Sequence, residues 1–245
     1  MLTAVAIEPP EIIETQDGEE VGTEGRLWLV DKPLGWTSFD VVAKLRNALT
    51  KRTGVKQKVG HAGTLDPQAT GLLLIATGKM TKQLSQLEVL DKEYTGTLRL
   101  GARTKSFDSE TEEYGMKDVS HLTDEMLFET AKSFLGTQLQ LPPMFSAVWH
   151  KGQRLYDLAR KGTVVEGRTP REITIFEFEL TGIRLPEVGF QMRVSKGTYI
   201  RSVANDFGER LDVGAYLKSL RRTKVGKYDV AKAMSLPDAL AEITK

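Results

Sequence analysis

The stretch V-G-H-A-G-T-L-D-P-Q-A-T-G-L-L-L-I-A-T-G-K, Val59 to Lys79, decides how the rest of the chain is read. Its first thirteen residues hold Gly60, Gly63, Gly71 and Pro67, and no helical or strand period survives there. Glycine permits backbone angles and close approaches that other residues resist. Proline fixes its own φ and pushes the residue before it, here Asp66, out of the α region. Leu72 to Ala76 then runs apolar without a break, the pattern of a buried strand. The stretch therefore reads as a loop of set shape, anchored by a strand, that presents one carboxylate (Asp66) and one imidazole (His61). Loops held on a rigid scaffold are where chemistry concentrates, although Asp-Pro is also an ordinary turn dipeptide. Gly71 is followed by leucines, so this is neither a G-x-x-x-x-G-K-[ST] phosphate loop nor a G-x-G-x-x-G fingerprint.

Outward from this loop, Arg26 to Val30 reads as a short strand ending in the Asp31-Lys32-Pro33 turn. Thr37 or Ser38 can cap a helix with Asp40 in its first turn and Val41, Val42, Leu45 and Leu49 on one face. Thr77 to Leu90 reads as a helix behind the apolar strand, and Glu93 to Leu100 as a strand with Tyr94 at its entrance. Ala102 to Ser120 is polar and reads as loop. Thr123 to Leu135 reads as a helix with Gly136 at its C′ position, Leu141 to Val148 as extended, and Arg154 to Lys161 as a short helix. Arg171 to Leu185 and Val188 to Ser195 alternate as a hairpin around Pro186, and Tyr199 to Leu211 is helical. A basic segment, a short strand near Val225 to Val230 and a helix from Pro237 follow. Strands and helices mix without regular βαβ alternation, which argues for an α+β fold with a mostly antiparallel sheet.

The 245 residues suffice for one large domain or two small ones, with apolar and charged contents of 40% and 27% that suit a globular protein. There are no cysteines, which fits a reducing compartment, and the three histidines form no metal-ligand cluster. No signal peptide and no membrane span is evident, so a cytoplasmic location is expected. The net charge of +1 hides a division. Residues 1–25 hold seven acids and no Lys or Arg, which reads as a mobile acidic tail ahead of one domain over 26–245. The remaining 220 residues carry 34 bases against 26 acids, a balance of +8. Lys44 to Lys58 holds six bases and no acid, and Tyr216 to Lys227 five bases and no acid. Two such runs favour a polyanion partner, with a phosphate backbone as the simplest candidate.

The segment G-H-A-G-T-L-D-P-Q-A-T-G-L-L closely resembles the catalytic motif of the TruB-type tRNA pseudouridine synthases. D-K-P-L-G-W-T-S (Asp31 to Ser38) and S-K-G-T-Y-I-R-S (Ser195 to Ser202) resemble two further motifs of that family, in the same order. The likeness runs from about Leu27 to about Tyr228. It implies the pseudouridine synthase fold, a mixed, mostly antiparallel central sheet flanked by helices and loops. It also implies isomerisation of the uridine at position 55 in the T-loop of tRNA, without a cofactor or metal. The T-arm of tRNA would be the partner, with base flipping; nothing in the sequence implies a membrane, an obligate protein partner or an obligate dimer, so a monomer is expected.

By that resemblance Asp66 is the catalytic aspartate. Breaking the N1–C1′ bond needs a nucleophile or anion beside C1′, and a carboxylate suits the task, as in glycosidases. Whether it adds to C1′, adds to the base or assists elimination stays open. Asp66 is expected to work ionised, and Arg201 matches the arginine that pairs with it. By residue type alone Arg201 would be an exposed helix arginine. Tyr199 matches the tyrosine beneath the target base and Tyr94 the one that stacks on it. Without the motifs, each would be a strand tyrosine with a satisfied hydroxyl. His61 matches the histidine that enters the RNA loop. Leu220 matches an apolar wall of the base pocket, with Arg221 and Arg222 beside it expected at phosphates. Lys32 braces the active-site loop or contacts RNA.

The match is uneven. Where relatives carry R-T-D-T-x-D, this chain reads R-T-K-S-F-D-S-E, keeping Asp108 in a segment that grips RNA in relatives. Many relatives also continue into a small C-terminal RNA-binding domain, which is not expected here. An RNA-binding protein or tRNA-folding chaperone with secondary or lost catalysis is the alternative. A synthase working in a guide-RNA particle is a more distant one.

Overall fold

Thr37 opens the first helix as a capping box: its side chain accepts from Asp40 N while the Asp40 carboxylate accepts from Thr37 N. The computed structural model describes residues 25–244 apart from 147, 151, 164 and 166, so the expected acidic tail lies outside the described residues. β1 (Leu27–Lys32) leads into α1 (Ser38–Thr53), whose buried face carries Val41, Val42, Leu45 and Leu49 as the helical period requires. β2 (Val59–Ala62) and β3 (Ala69–Thr77) flank the Asp66 loop. The expected helix over 77–90 is instead a 3₁₀ turn, Gly78–Gln83, followed by a short α2 (Leu84–Glu88). β4 (Lys92–Leu100) precedes a loop pinched by a small hairpin, β5 (Arg103–Thr104) and β6 (Glu113–Tyr114). α3 (Asp124–Lys132), capped by Thr123, ends early, and Gly136 begins β7 (Gly136–Gln140) rather than closing the helix.

A second small hairpin, β8 (Trp149–His150) with β9 (Gln153–Arg154), leads to α4 (Leu155–Arg160). The long hairpin forms as expected from β10 (Arg171–Arg184) and β11 (Glu187–Val194), and α5 (Ile200–Arg210) follows with Tyr199 at its N-cap. The basic segment then departs from the reading. It is β12 (Ala215–Val225), the middle of the sheet; β13 (Tyr228–Asp229), β14 (Met234–Ser235) and α6 (Leu236–Thr244) complete the described chain.

The main sheet runs β14-β1-β3-β12-β4-β11-β10-β7, with β2 also on β3 and β13 also on β12. β12 lies parallel to β3 and β14 parallel to β1, while the other pairs in this sheet are antiparallel. The fold is thus α+β with the mixed, mostly antiparallel sheet expected. One apolar cluster joins α3 and α5 to β4, β10 and β11 around Phe134, Phe190 and Phe207. Another seats α1 and α6 on β1 and β3. Among the described residues no helix is long and apolar enough to cross a membrane.

Candidate active site

The loop between β2 and β3 is tied down from several directions. Ser38, at the start of α1, accepts a hydrogen bond from Leu65 N (2.8 Å) and donates one to Leu65 O (3.0 Å). Gly35 N donates to Pro67 O (2.8 Å), and Ala69 N to Asp66 O (3.0 Å). Across the sheet, Arg222 donates through Nε to Leu72 O (2.7 Å) and through Nη2 to Gly63 O (3.1 Å). Gly71 sits at φ +103°, and a Cβ there would lie 2.3 Å from Arg222 O. Only glycine lets β3 approach β12 this closely. Lys32 is fully buried and donates through Nζ to Pro33 O (2.9 Å) and Trp36 O (2.6 Å). These bonds brace the Pro33–Trp36 turn that leads into α1. Burial lowers its pKa to about 8, with Asp66 opposing and Arg222 reinforcing the shift.

On this platform Asp66 Oδ2 lies 2.9 Å from Arg201 Nε. Arg201 is in the first turn of α5, 5% exposed, and donates also to Ser106 O (3.1 Å) and Phe145 O (2.8 Å). Asp108, itself buried, places Oδ2 3.6 Å from the same Nε. Arginine keeps its charge when buried, and its planar fork serves several acceptors at once. The Asp66 side chain keeps 39% of its surface open on one side, yet protein atoms crowd it on the others. Burial pushes its carboxyl above the usual carboxylate range, Arg201 pulls it back, and Asp108 adds to the rise. The guanidinium thus offsets only part of the desolvation.

Beside this pair opens a pocket lined by Gln68, Ala69, Asp108, Leu217, Ser219 and Leu220. Leu220 stands opposite Ala69 of β3 and Gly96 of β4. Tyr94 is buried in the same apolar cluster as Leu65 and Ala69. Tyr199 is half-buried, and Gln140 holds its backbone twice: Tyr199 N donates to Oε1 (2.8 Å) and Nε2 donates to Tyr199 O (3.1 Å). His61 is on β2, opposite Ile75, and is not among the residues that line the pocket. Its Nδ1 is buried without a hydrogen-bond partner, and burial, then Arg222, lowers its pKa. Among the described residues no group of His, Cys, Asp or Glu is arranged to hold a metal ion.

Arg222 requires a correction. It was expected at phosphates, but it is 1% exposed and spends its guanidinium on loop carbonyls. Neighbours on a strand point to opposite faces, so Arg221 is the one left half-exposed. Arg221 forms a two-pronged pair with Asp31 (3.0 and 2.7 Å). Sequence reasoning missed the roles of Asp108 and Gln140. Phe107 takes φ +64°, Thr104 Oγ1 donates to Asp108 O (2.7 Å), and the turn delivers Asp108 to Arg201. The only signal was that this acid survives within an altered R-T-K-S-F-D-S-E.

Residues 51–200 match the model of the TruB family pseudouridylate synthase N-terminal domain. Residues 201–244 match that of the tRNA pseudouridylate synthase B C-terminal domain; here they supply α5 and the mid-sheet strand β12. The chain is 56% identical over 222 residues to tRNA pseudouridine synthase B of Chloroherpeton thalassium, a match covering 91% of this chain and 92% of that one. It is 58% identical over 222 residues to the protein of the same name in Chlorobaculum tepidum, with the same coverage. A chain of a solved Cbf5-Nop10-Gar1 complex superposes with a TM-score of 0.67 at 30% identity, over 88% of this chain and 53% of that one. This chain therefore spans about half the length of that solved relative. With the Asp66–Arg201 pair standing in the family's own motifs, the chain belongs to the TruB family of pseudouridylate synthases.

Proposed function

We propose that the protein converts the uridine at position 55 in the T-loop of tRNA to pseudouridine, after taking the base out of its stack into the pocket beside Asp66. The observation that carries this reading is the Asp66–Arg201 ion pair at a narrow pocket walled by Leu220, a cleft that the base must widen to enter. In the reaction N1–C1′ breaks, the uracil turns, and C5–C1′ forms. C5 loses its proton and N1 gains one, so nothing is hydrolysed. The ionised Asp66 carboxylate acts at C1′, where cationic character or a covalent bond can be met by an anion. Arg201 orients it, Tyr199 enters on the same turn as Arg201, and Tyr94 supplies a ring beside the loop. Arg221 and His61 serve the RNA around the target, the described residues act as one catalytic body, and the working form is a cytoplasmic monomer.

The test uses a T-arm stem-loop carrying tritium at uridine C5, in buffer with EDTA. Wild-type protein releases the tritium as C5 becomes the glycosidic atom; Asp66→Asn does not. Release by Asp66→Asn at the wild-type rate would remove the aspartate from the mechanism. Tight, salt-sensitive binding by wild type with no release would instead make the protein an RNA-binding or tRNA-folding chaperone.

A further inference from the structure

Two apolar side chains stand in water beside the active-site loop, Leu34 (61% exposed) and Phe39 (64% exposed). Single exposed apolar residues are normal on any protein, but these two are presented on pinned backbone. Leu34 lies between Pro33, whose carbonyl receives Lys32 Nζ, and Gly35, whose N–H is bonded to Pro67 O. Phe39 is in the first turn of α1, behind the capping box and next to Ser38, which is bonded twice to Leu65. Two helical turns on, the Arg46 guanidinium lies 6.0 Å from the Phe39 ring centroid, at the outer reach of a cation–π contact. The same helix opens the run Lys44 to Lys58, with six bases and no acid.

An apolar protein surface would find unmatched positive charge along this face. A nucleic acid matches both parts, because every base has a π-face for a ring and every phosphate a charge for the basic run. Gly35 and Ser38 tie the backbone that carries this face to the Asp66 loop, which keeps the face in a fixed place near that loop. We propose that Phe39, with Arg46 beside it and Leu34 on the preceding turn, is a stacking platform for an unpaired nucleotide of the substrate RNA other than the target uridine. This rests on the RNA-modifying reading above.

The test measures dissociation constants of the full chain for a fluorescent T-arm stem-loop over a salt series, and single-turnover tritium release at saturating RNA. Phe39→Ala weakens binding about five-fold or more, with the release rate and salt slope unchanged. Phe39→Trp restores affinity, as a ring of any kind should. Arg46→Ala weakens binding and lowers the salt slope by about one unit, the mark of a phosphate contact. Unchanged affinity in Phe39→Ala, or an equal loss in Phe39→Trp, overturns the platform. If wild type binds the stem-loop but releases no tritium, the isomerase reading fails while the Phe39 affinities still decide the platform.

Discussion

Replacing Arg222 by alanine is expected to destabilise the fold by about 3–5 kcal/mol. The guanidinium donates two charge-assisted hydrogen bonds, to Leu72 O and Gly63 O, each worth about 1.5–3 kcal/mol. Its removal also empties a fully buried site, while relief from burying a cation offsets part of the loss. Arg222→Lys keeps the charge but cannot serve both carbonyls, and should cost about half as much. The assay is urea unfolding followed by tryptophan fluorescence, with the buried Trp28 as reporter and an unchanged m-value as control. Because Arg222 lowers the pKa of His61, the imidazole titration should move upward in Arg222→Ala, which NMR can read. A stability loss under about 1 kcal/mol would refute this reasoning. So would unchanged stability with weaker RNA binding and a shallower salt slope, since that would return Arg222 to a phosphate.

Two further outcomes are expected. Asp66 is raised by burial and by Asp108, so tritium release should fall as pH drops through a limb above the ordinary carboxylate range. Asp108→Asn removes a like charge and moves that limb to lower pH, with a lower plateau as Arg201 loses a neighbour; a limb that stays put would exclude the coupling. Burial lowers Lys92 from 10.5 to about 8, so its folded ammonium sheds a proton before the unfolded one does. Stability should therefore rise between pH 8 and 10.5, and rise less in Lys92→Met; equal urea midpoints at both ends for wild type and variant would contradict this.

Where one physical signal dominated, the sequence was readable. α1 followed from its cap and its apolar period, and the β10–β11 hairpin from alternation. β12 was not readable as a strand, because two irregularities in its pairing with β4, at Leu217/Ser219 and Arg222/Lys224, break the period of two. Its five bases with the flanking turn then looked like a solvated face, although one of them, Arg222, is among the most buried side chains in the molecule. The Asp66 loop announced itself through glycine and proline, but its partner did not. Arg201 joins it only through tertiary structure, and the pairing was legible through family motifs alone. Asp108 was hidden for a related reason: its position depends on a left-handed Phe107, which no side-chain pattern foretells.

The place of β12 between β3 and β4 has a consequence for the chain as it is made. A ribosome delivers Ala69–Thr77 and Lys92–Leu100 long before Ala215–Val225, so the two earlier strands must wait with their facing edges unpaired. Such edges and apolar runs are liable to pair wrongly in the interval. The insertion of β12 satisfies both strands, and the same event brings Arg222 to Gly63 O and Leu72 O. Final shaping of the Asp66 loop thus belongs to the last stage of folding, and a nascent chain lacking β12 would carry the aspartate without the geometry to use it.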